Sequence, residues 1–131
     1  MGRLVSVGIT GQAGFMGSHL FNFLGTKLEE IKRISFKRDY FEDEVELQNF
    51  VKSCDVIVHI AAMNRHEDEQ VLYNTNLGLV HKLVNACEVT KSIPKIIFSS
   101  STQEEIDNLY GMSKRDGRNY FEAWATNNDG Q

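Results

Sequence analysis

Proline is almost absent from this chain of 131 residues: Pro94 is the only one. A chain so poor in proline is not a proline-rich linker or a recognition tract. Cysteine is scarce too. Cys54 and Cys87 lie far apart, outside any CxxC or Cys/His spacing, and read as reduced core residues of a cytosolic protein rather than a disulfide or metal site. No apolar run approaches the length needed to cross a bilayer. The best stretch, "VIVHIAAM", is short and contains His59. No charged n-region leading into an apolar h-region opens the chain, so a cytoplasmic location is expected. An excess of positive charge is also missing. The net charge is -4 and the basic residues are scattered, which argues against nucleic acid as a partner. "MGRLVS" satisfies an acylation pattern, but an acyl chain there would compete with the first buried strand.

What is present is ordinary globular material, 41% hydrophobic and 24% charged, enough for one domain over residues 1–131 with one modest core. Short β-branched runs alternate with longer helical patterns. Strands are expected at residues 4–9, 34–37, 56–60 and 95–99, each continuous and apolar as befits strands covered on both faces. Between them, Met16, Leu20, Leu24 and Leu28 recur every four residues, and Val45, Phe50 and Val51 mark a shorter helix. A long helix is expected over roughly 67–88 and a last one over 109–125. Strand, helix, strand, helix predicts an α/β fold with a doubly wound parallel sheet. The interval before "DVIVHI" is short for two further elements. No strand follows the last helix, so the sheet is expected to be incomplete at its C-terminal side.

Glycine is concentrated in "VGITGQAGFMGSHL". Gly11, Gly14 and Gly17 follow the first strand at three-residue spacing. Gly11 would permit the tight turn, Gly14 would let backbone approach a pyrophosphate, and Gly17 would let helix and strand sit close. The helix starting near Phe15 offers its free amides and positive dipole end to phosphate. Gly8, inside the strand, reads as a packing residue.

"TGQAGFMGSHL" has the TGxxGxxG form and resembles the short-chain dehydrogenase/reductase superfamily, in its extended, nucleotide-sugar-modifying branch (the NAD-dependent epimerase/dehydratase family). "DVIVHIAA", "FSSS" and "YGMSK" follow in the order that branch shows. The resemblance implies a Rossmann-type domain that ends before its last strands and its substrate subdomain. It implies a cofactor cradle made of Thr10, Gly11, Gly14, Phe15, Met16 and Gly17, then Ala61 and Ala62, Asn76 and Ser99. It also implies a catalytic set of Ser101, Tyr110 and Lys114, with Thr102 as a stand-in for the serine. Tyr110 and Lys114 are four apart, so on a helix they share a face about 6 Å apart along the axis. A free phenol, with a pKa of roughly 10, is a poor base at neutral pH, and a neighbouring ammonium favours its phenolate. Tyr110 could then exchange a proton with a sugar oxygen while hydride moves to or from nicotinamide. The resemblance gives Lys114 the nicotinamide ribose as well. His59, His66 and His81 read as structural.

An acidic residue about 20 positions past the glycine motif would favour NAD. Lys37 and Arg38 occupy that region and suit the 2′-phosphate of NADP, while Asp39 leaves NAD open. Dehydratases of the branch carry an Asp-Glu pair after the serine; here Thr102 and Gln103 stand there, with Glu104 and Glu105 beyond. A reductase or an epimerase is therefore expected, and NADP favours the reductase. A silent dinucleotide-binding or interaction fragment is the competing expectation. The "NR" of "AAMNRHE" and the short "STQEEIDNL" link are similar to capsular-polysaccharide reductases, which act on a UDP-linked 4-keto-6-deoxy-N-acetylhexosamine and carry a cupin domain downstream. The branch also implies a homodimer through the fourth and last helices, with Leu79, Leu83, Tyr120 and Trp124 as candidates for its surface.

Overall fold

The computed structural model describes residues 3–63, 66–99, 102–105 and 108–128. Four strands, β1 (Val5–Thr10), β2 (Ile31–Ile34), β3 (Val56–His59) and β4 (Lys95–Phe98), form one parallel sheet in the order β2-β1-β3-β4. Helix α1 (Phe15–Leu24) connects β1 to β2. A 3-10 turn (Arg38–Glu42) and α2 (Glu44–Ser53) connect β2 to β3, and α3 (Glu69–Thr90) connects β3 to β4. A second 3-10 turn (Thr102–Glu105) leads into α4 (Leu109–Thr126). All strands run the same way, so Thr10, His59 and Ser99 meet at one edge, where the amide of Ser99 donates to the carbonyl of His59 at 3.1 Å.

The core lies on one side of the sheet. Phe50 and Val51 of α2, Val80, Leu83 and Val84 of α3, and Phe121 and Trp124 of α4 close over Ile57. Leu83 and Trp124, expected on a pairing surface, are therefore interior, because the apolar stripe of each helix is already used against the sheet; Tyr120 stays exposed. Gly8 faces this core. A Cβ there would stand 2.4 Å from the Phe50 ring and 2.6 Å from Cys54 Sγ, so its packing role is borne out. Cys54 and Cys87 are free and buried, and burial pushes both thiols up to about 12, so neither is a ready nucleophile. The opposite face carries α1, where the Arg33 guanidinium lies 4.3 Å over the Phe21 ring.

Two expectations needed correction. The second strand is Ile31–Ile34, not 34–37. As an edge strand it reads Ile, Lys, Arg, Ile, with two charged residues at its centre, so a search for continuous apolar runs passes over it. Phe36, counted in the expected strand, instead buries its ring against Tyr40, Phe41 and Phe50. The strands are also not all covered on both faces: Ile97 of β4 points away from the three-helix side and is 57% exposed.

Candidate functional site

The glycine turn is built by contacts within the chain at two of its three glycines. Gly11 has φ +76°, and a Cβ on it would press against the backbone of Ala61 at 3.1 Å. Gly17 is closer still, since its Cβ would fall 1.9 Å from the carbonyl oxygen of Gly11. Gly14 differs. Its backbone is extended (φ -77°, ψ 177°), and a Cβ there would meet only the Gly11 oxygen at an ordinary 3.4 Å. Among the described residues nothing requires Gly14 to be glycine. The space its missing side chain leaves opens outward, at the start of α1, where no side chain caps the helix and no acidic residue lies in the first turn. Phe15 and Met16, next along, are 81% and 61% exposed. Uncapped amides at a dipole's positive end beside a bare backbone suit a diphosphate.

Thr10 fastens this turn to the end of β3. Its buried hydroxyl accepts the N–H of Ile60 at 3.0 Å and of Ala61 at 3.1 Å, and lies 2.7 Å from His59 Nδ1. A hydroxyl has two lone pairs and one proton. The two amides take the lone pairs, so the proton goes to Nδ1, and His59 is neutral with its own proton on Nε2. Burial, and then the Lys114 charge, press the His59 pKa down to about 3. The sign follows. Above about 6.5, the unfolded value, neither state binds the proton and the stability is complete. As pH falls from 6.5 toward 3, only the unfolded chain gains it, and stability drops by about 1.4 kcal/mol per pH unit. Urea midpoints taken from pH 7 to pH 4 should fall with that added slope, and His59→Asn should flatten it. An unchanged slope would show that His59 already titrates normally in the fold.

Ala61 and Ala62 follow β3, and Asn76 reaches them indirectly. Its Oδ1 accepts the Met63 amide at 2.6 Å while its Nδ2 donates to the Met63 carbonyl at 2.9 Å and to Ser113 Oγ at 3.4 Å. Asn76 is 5% exposed, so whatever it contributes at the site passes through the backbone it clamps. Ser113 in turn donates to the carbonyl of Tyr110 at 2.7 Å, tying that clamp to α4.

Helix α4 begins at an Asn108 cap, whose Oδ1 accepts the Gly111 amide at 2.7 Å. Tyr110 sits in the first turn, half-buried, and Lys114 follows one turn on. Lys114 is only 5% exposed. Its Nζ donates to the Ser99 carbonyl at 3.0 Å, lies 5.2 Å over the Phe98 ring and 5.8 Å over the Tyr110 ring. Burial lowers its pKa. Phe98 is stacked on His59 with centroids 5.8 Å apart, so Thr10, His59, Phe98 and Lys114 form a continuous series from the glycine turn to α4. Gly117 makes room, since a Cβ there would crowd Val80 and Phe98 at 3.2 and 3.3 Å. Ser101, the expected hydroxyl donor, lies outside the described residues, as does the side chain of Thr102.

Lys37 and Arg38 are exposed just past β2, with no ion-pair partner among the described residues. Gln12, to which no motif pointed, links that segment to the glycine turn: its Oε1 accepts the Phe36 amide at 2.9 Å. Asp39 is exposed beside them.

Residues 7–129 match the NAD dependent epimerase/dehydratase family. The chain is 30% identical over 115 residues to a UDP-2-acetamido-2,6-beta-L-arabino-hexul-4-ose reductase of Pseudomonas aeruginosa, an alignment that takes in 88% of this chain and 30% of the relative. Among solved structures it resembles RMD from Pseudomonas aeruginosa complexed with NADPH (TM-score 0.82, 17% identity, 95% of this chain and 51% of the other). It also resembles dTDP-4-dehydrorhamnose reductase from Bacillus anthracis in complex with NADP (TM-score 0.74, 20% identity, 95% and 51%). UDP-glucose 4-epimerase from Bifidobacterium longum, in complex with NAD+ and UDP, is similar too (TM-score 0.74, 20% identity, 93% and 49%). These likenesses establish the Rossmann-type fold, and this chain spans about half of each structure and less than a third of the curated relative. On its sequence match from β1 through α4, the chain belongs to the NAD dependent epimerase/dehydratase family.

Proposed function

We propose that this chain is the cofactor-binding part of an NADP(H)-dependent nucleotide-sugar oxidoreductase that reduces a UDP-linked 4-keto-6-deoxy sugar for surface-polysaccharide synthesis. The observation that carries the reading is Gly14, a glycine that no contact among the described residues requires, at an uncapped helix start. Its cradle fits a diphosphate, and Lys37 and Arg38, at the far end of the Gln12 bridge, suit a 2′-phosphate. NADPH, when bound, supplies the hydride. The chain's own residues manage the proton. Tyr110 gives its hydroxyl proton to the sugar oxygen as the carbonyl becomes an alcohol. Lys114 keeps a cation beside that phenol and has donors left for a ribose once one has gone to Ser99.

Elimination is disfavoured by the state of the nearest carboxylate after the serines: Glu104 is held by Arg118 at 2.9 Å and is not free to serve as a second acid. The reductase name of the Pseudomonas relative supports the same choice, as do the NADPH and NADP in two of the structural relatives.

Fluorescence titration of NADPH and NADH separates the possibilities. Saturable binding with NADPH preferred by about tenfold, a difference of roughly 1.4 kcal/mol, is expected. Arg38→Ala should erase most of that preference. Absence of saturable binding to either nucleotide removes the reading for this chain, and a preference for NADH removes the NADP assignment.

A further inference from the structure

The ladder between β1 and β2 stops early. Its last pair is Gly8 with Ile34, while β1 runs on to Thr10 beside β3 alone. Ser35 and Phe36 therefore leave the sheet, and the amide of Phe36 has no strand to donate to. Gln12 supplies the acceptor: its Oε1 takes that amide at 2.9 Å across a separation of 24 residues. Among the described residues this is the only hydrogen bond between residues 10–17 and 35–42.

Both ends of the bridge are held. On the turn, Gln12 follows Gly11 at φ +76°, and its Cα lies so near α1 that a Cβ on Gly17 would come within 3.0 Å of it. On the other side the Phe36 ring is buried against Tyr40, Phe41 and Phe50, with centroids 4.9 to 5.3 Å apart. The Lys37 carbonyl then accepts the Tyr40 amide at 2.9 Å, which starts the 3-10 turn. Lys37 and Arg38 thus stand on backbone fastened on both sides of them, and both residues are exposed.

Placement matters here because the next residue has the opposite charge. Asp39 stands directly after the two cations. A small slide of the segment would exchange a guanidinium for a carboxylate at the same place, and a 2′-phosphate attracts the first and repels the second. Without the Gln12 oxygen, the Phe36 amide would lose its acceptor beside a buried ring. A backbone donor in that state is satisfied only by moving toward water. The movement would carry Lys37 and Arg38 with it.

We propose that Gln12 is a positioning residue for nucleotide selection: it spaces Lys37 and Arg38 from the glycine turn so that one dinucleotide can lay its diphosphate on the turn and its 2′-phosphate on the two cations. The inference rests on the reading of this chain as an NADP(H) binder. Gln12 acts through the segment it holds. Its removal therefore weakens the nucleotide that carries a 2′-phosphate and spares the one that lacks it.

The test is a set of fluorescence titrations of the full-length protein with NADPH and with NADH. Gln12→Met keeps the length and bulk of the side chain but offers a thioether, a weak acceptor, in place of the amide oxygen. It should raise the NADPH Kd about tenfold, the worth of one charge-assisted hydrogen bond, and leave the NADH Kd unchanged. In a protein already carrying Lys37→Ala and Arg38→Ala, the same change should cost nothing further, since groups that act as one unit are not additive. Gln12→Asn, a methylene too short to reach Phe36, should behave alike and serves if Gln12→Met does not fold. A ratio of NADPH to NADH affinity equal to the parent's in a folded variant overturns the proposal. So does an equal loss for both nucleotides, or a full further loss in the Lys37→Ala/Arg38→Ala protein, because either describes a role apart from the two cations. The underlying reading is checked separately. If the parent and the Lys37→Ala/Arg38→Ala protein bind NADPH alike, the NADP assignment itself falls. If removing the cations erases the preference while Gln12→Met keeps it, the positioning role alone falls.

Discussion

Tyr110→Phe in the full-length protein is expected to lower turnover by about 10²–10⁴-fold, the span usual for a positioned general acid or base. NADPH affinity should not change. The change removes one oxygen from a half-buried ring in the first turn of α4 and leaves in place the two described bonds that hold that turn's backbone. The Asn108 side chain caps Gly111, and Ser113 bonds the backbone carbonyl of Tyr110. Lys114 keeps its bond to the Ser99 carbonyl. Steady-state rates and NADPH titration on the same preparation decide the matter. Turnover close to the parent's would clear Tyr110 of proton transfer, whatever the fate of cofactor binding.

Gly17→Ala is expected to have the largest effect on stability, and its comparison with Gly14→Ala isolates what the glycine turn is for. The Cβ added at Gly17 would lie 1.9 Å from the Gly11 oxygen, 2.7 Å from the Gly11 carbonyl carbon and 3.0 Å from Gln12 Cα. All of these are backbone atoms, so no rotamer change relieves the clash. Either α1 lifts off β1 or the turn opens, and the turn is already wedged by Gly11 at positive φ against Ala61. The loss should reach about 3 kcal/mol, at the upper end for overpacking, or roughly 10 °C in Tm for a domain of this size. NADPH binding should vanish with it. Gly14→Ala should leave the melting curve alone and weaken NADPH by tenfold or more, about 1.4 kcal/mol, because its methyl group would occupy only the outward space. A Gly14→Ala protein that binds NADPH as the parent does would mean that nothing approaches that backbone.

Features set by spacing within one element were legible from the chain. The glycines at 11, 14 and 17 announced the turn, and Tyr110 and Lys114 at four-residue spacing announced a shared helix face. Gly8 was readable as a packing residue because a glycine inside a strand needs a close neighbour, here Phe50. Features set by position in the sheet were not. The edge strand β2 was misplaced, since half its residues are charged, and of the candidates for an outer surface Leu83 and Trp124 are interior. A helical stripe shows that one face is apolar but not which body it meets.

The sequence by itself determined the order of strands and helices, the glycine turn and the chemical character of α4, because each depends on residues a few positions apart. Tertiary structure alone decided the partnerships: Thr10 with His59, Gln12 with the Phe36 amide, Asn76 with Met63 and Arg118 with Glu104. Their members are separated by 13 to 49 positions in the chain. The physical reason is that a hydrogen bond needs two groups within about 3 Å. Local spacing sets that distance only within a turn or two of backbone; beyond it, the order and register of strands bring the groups together.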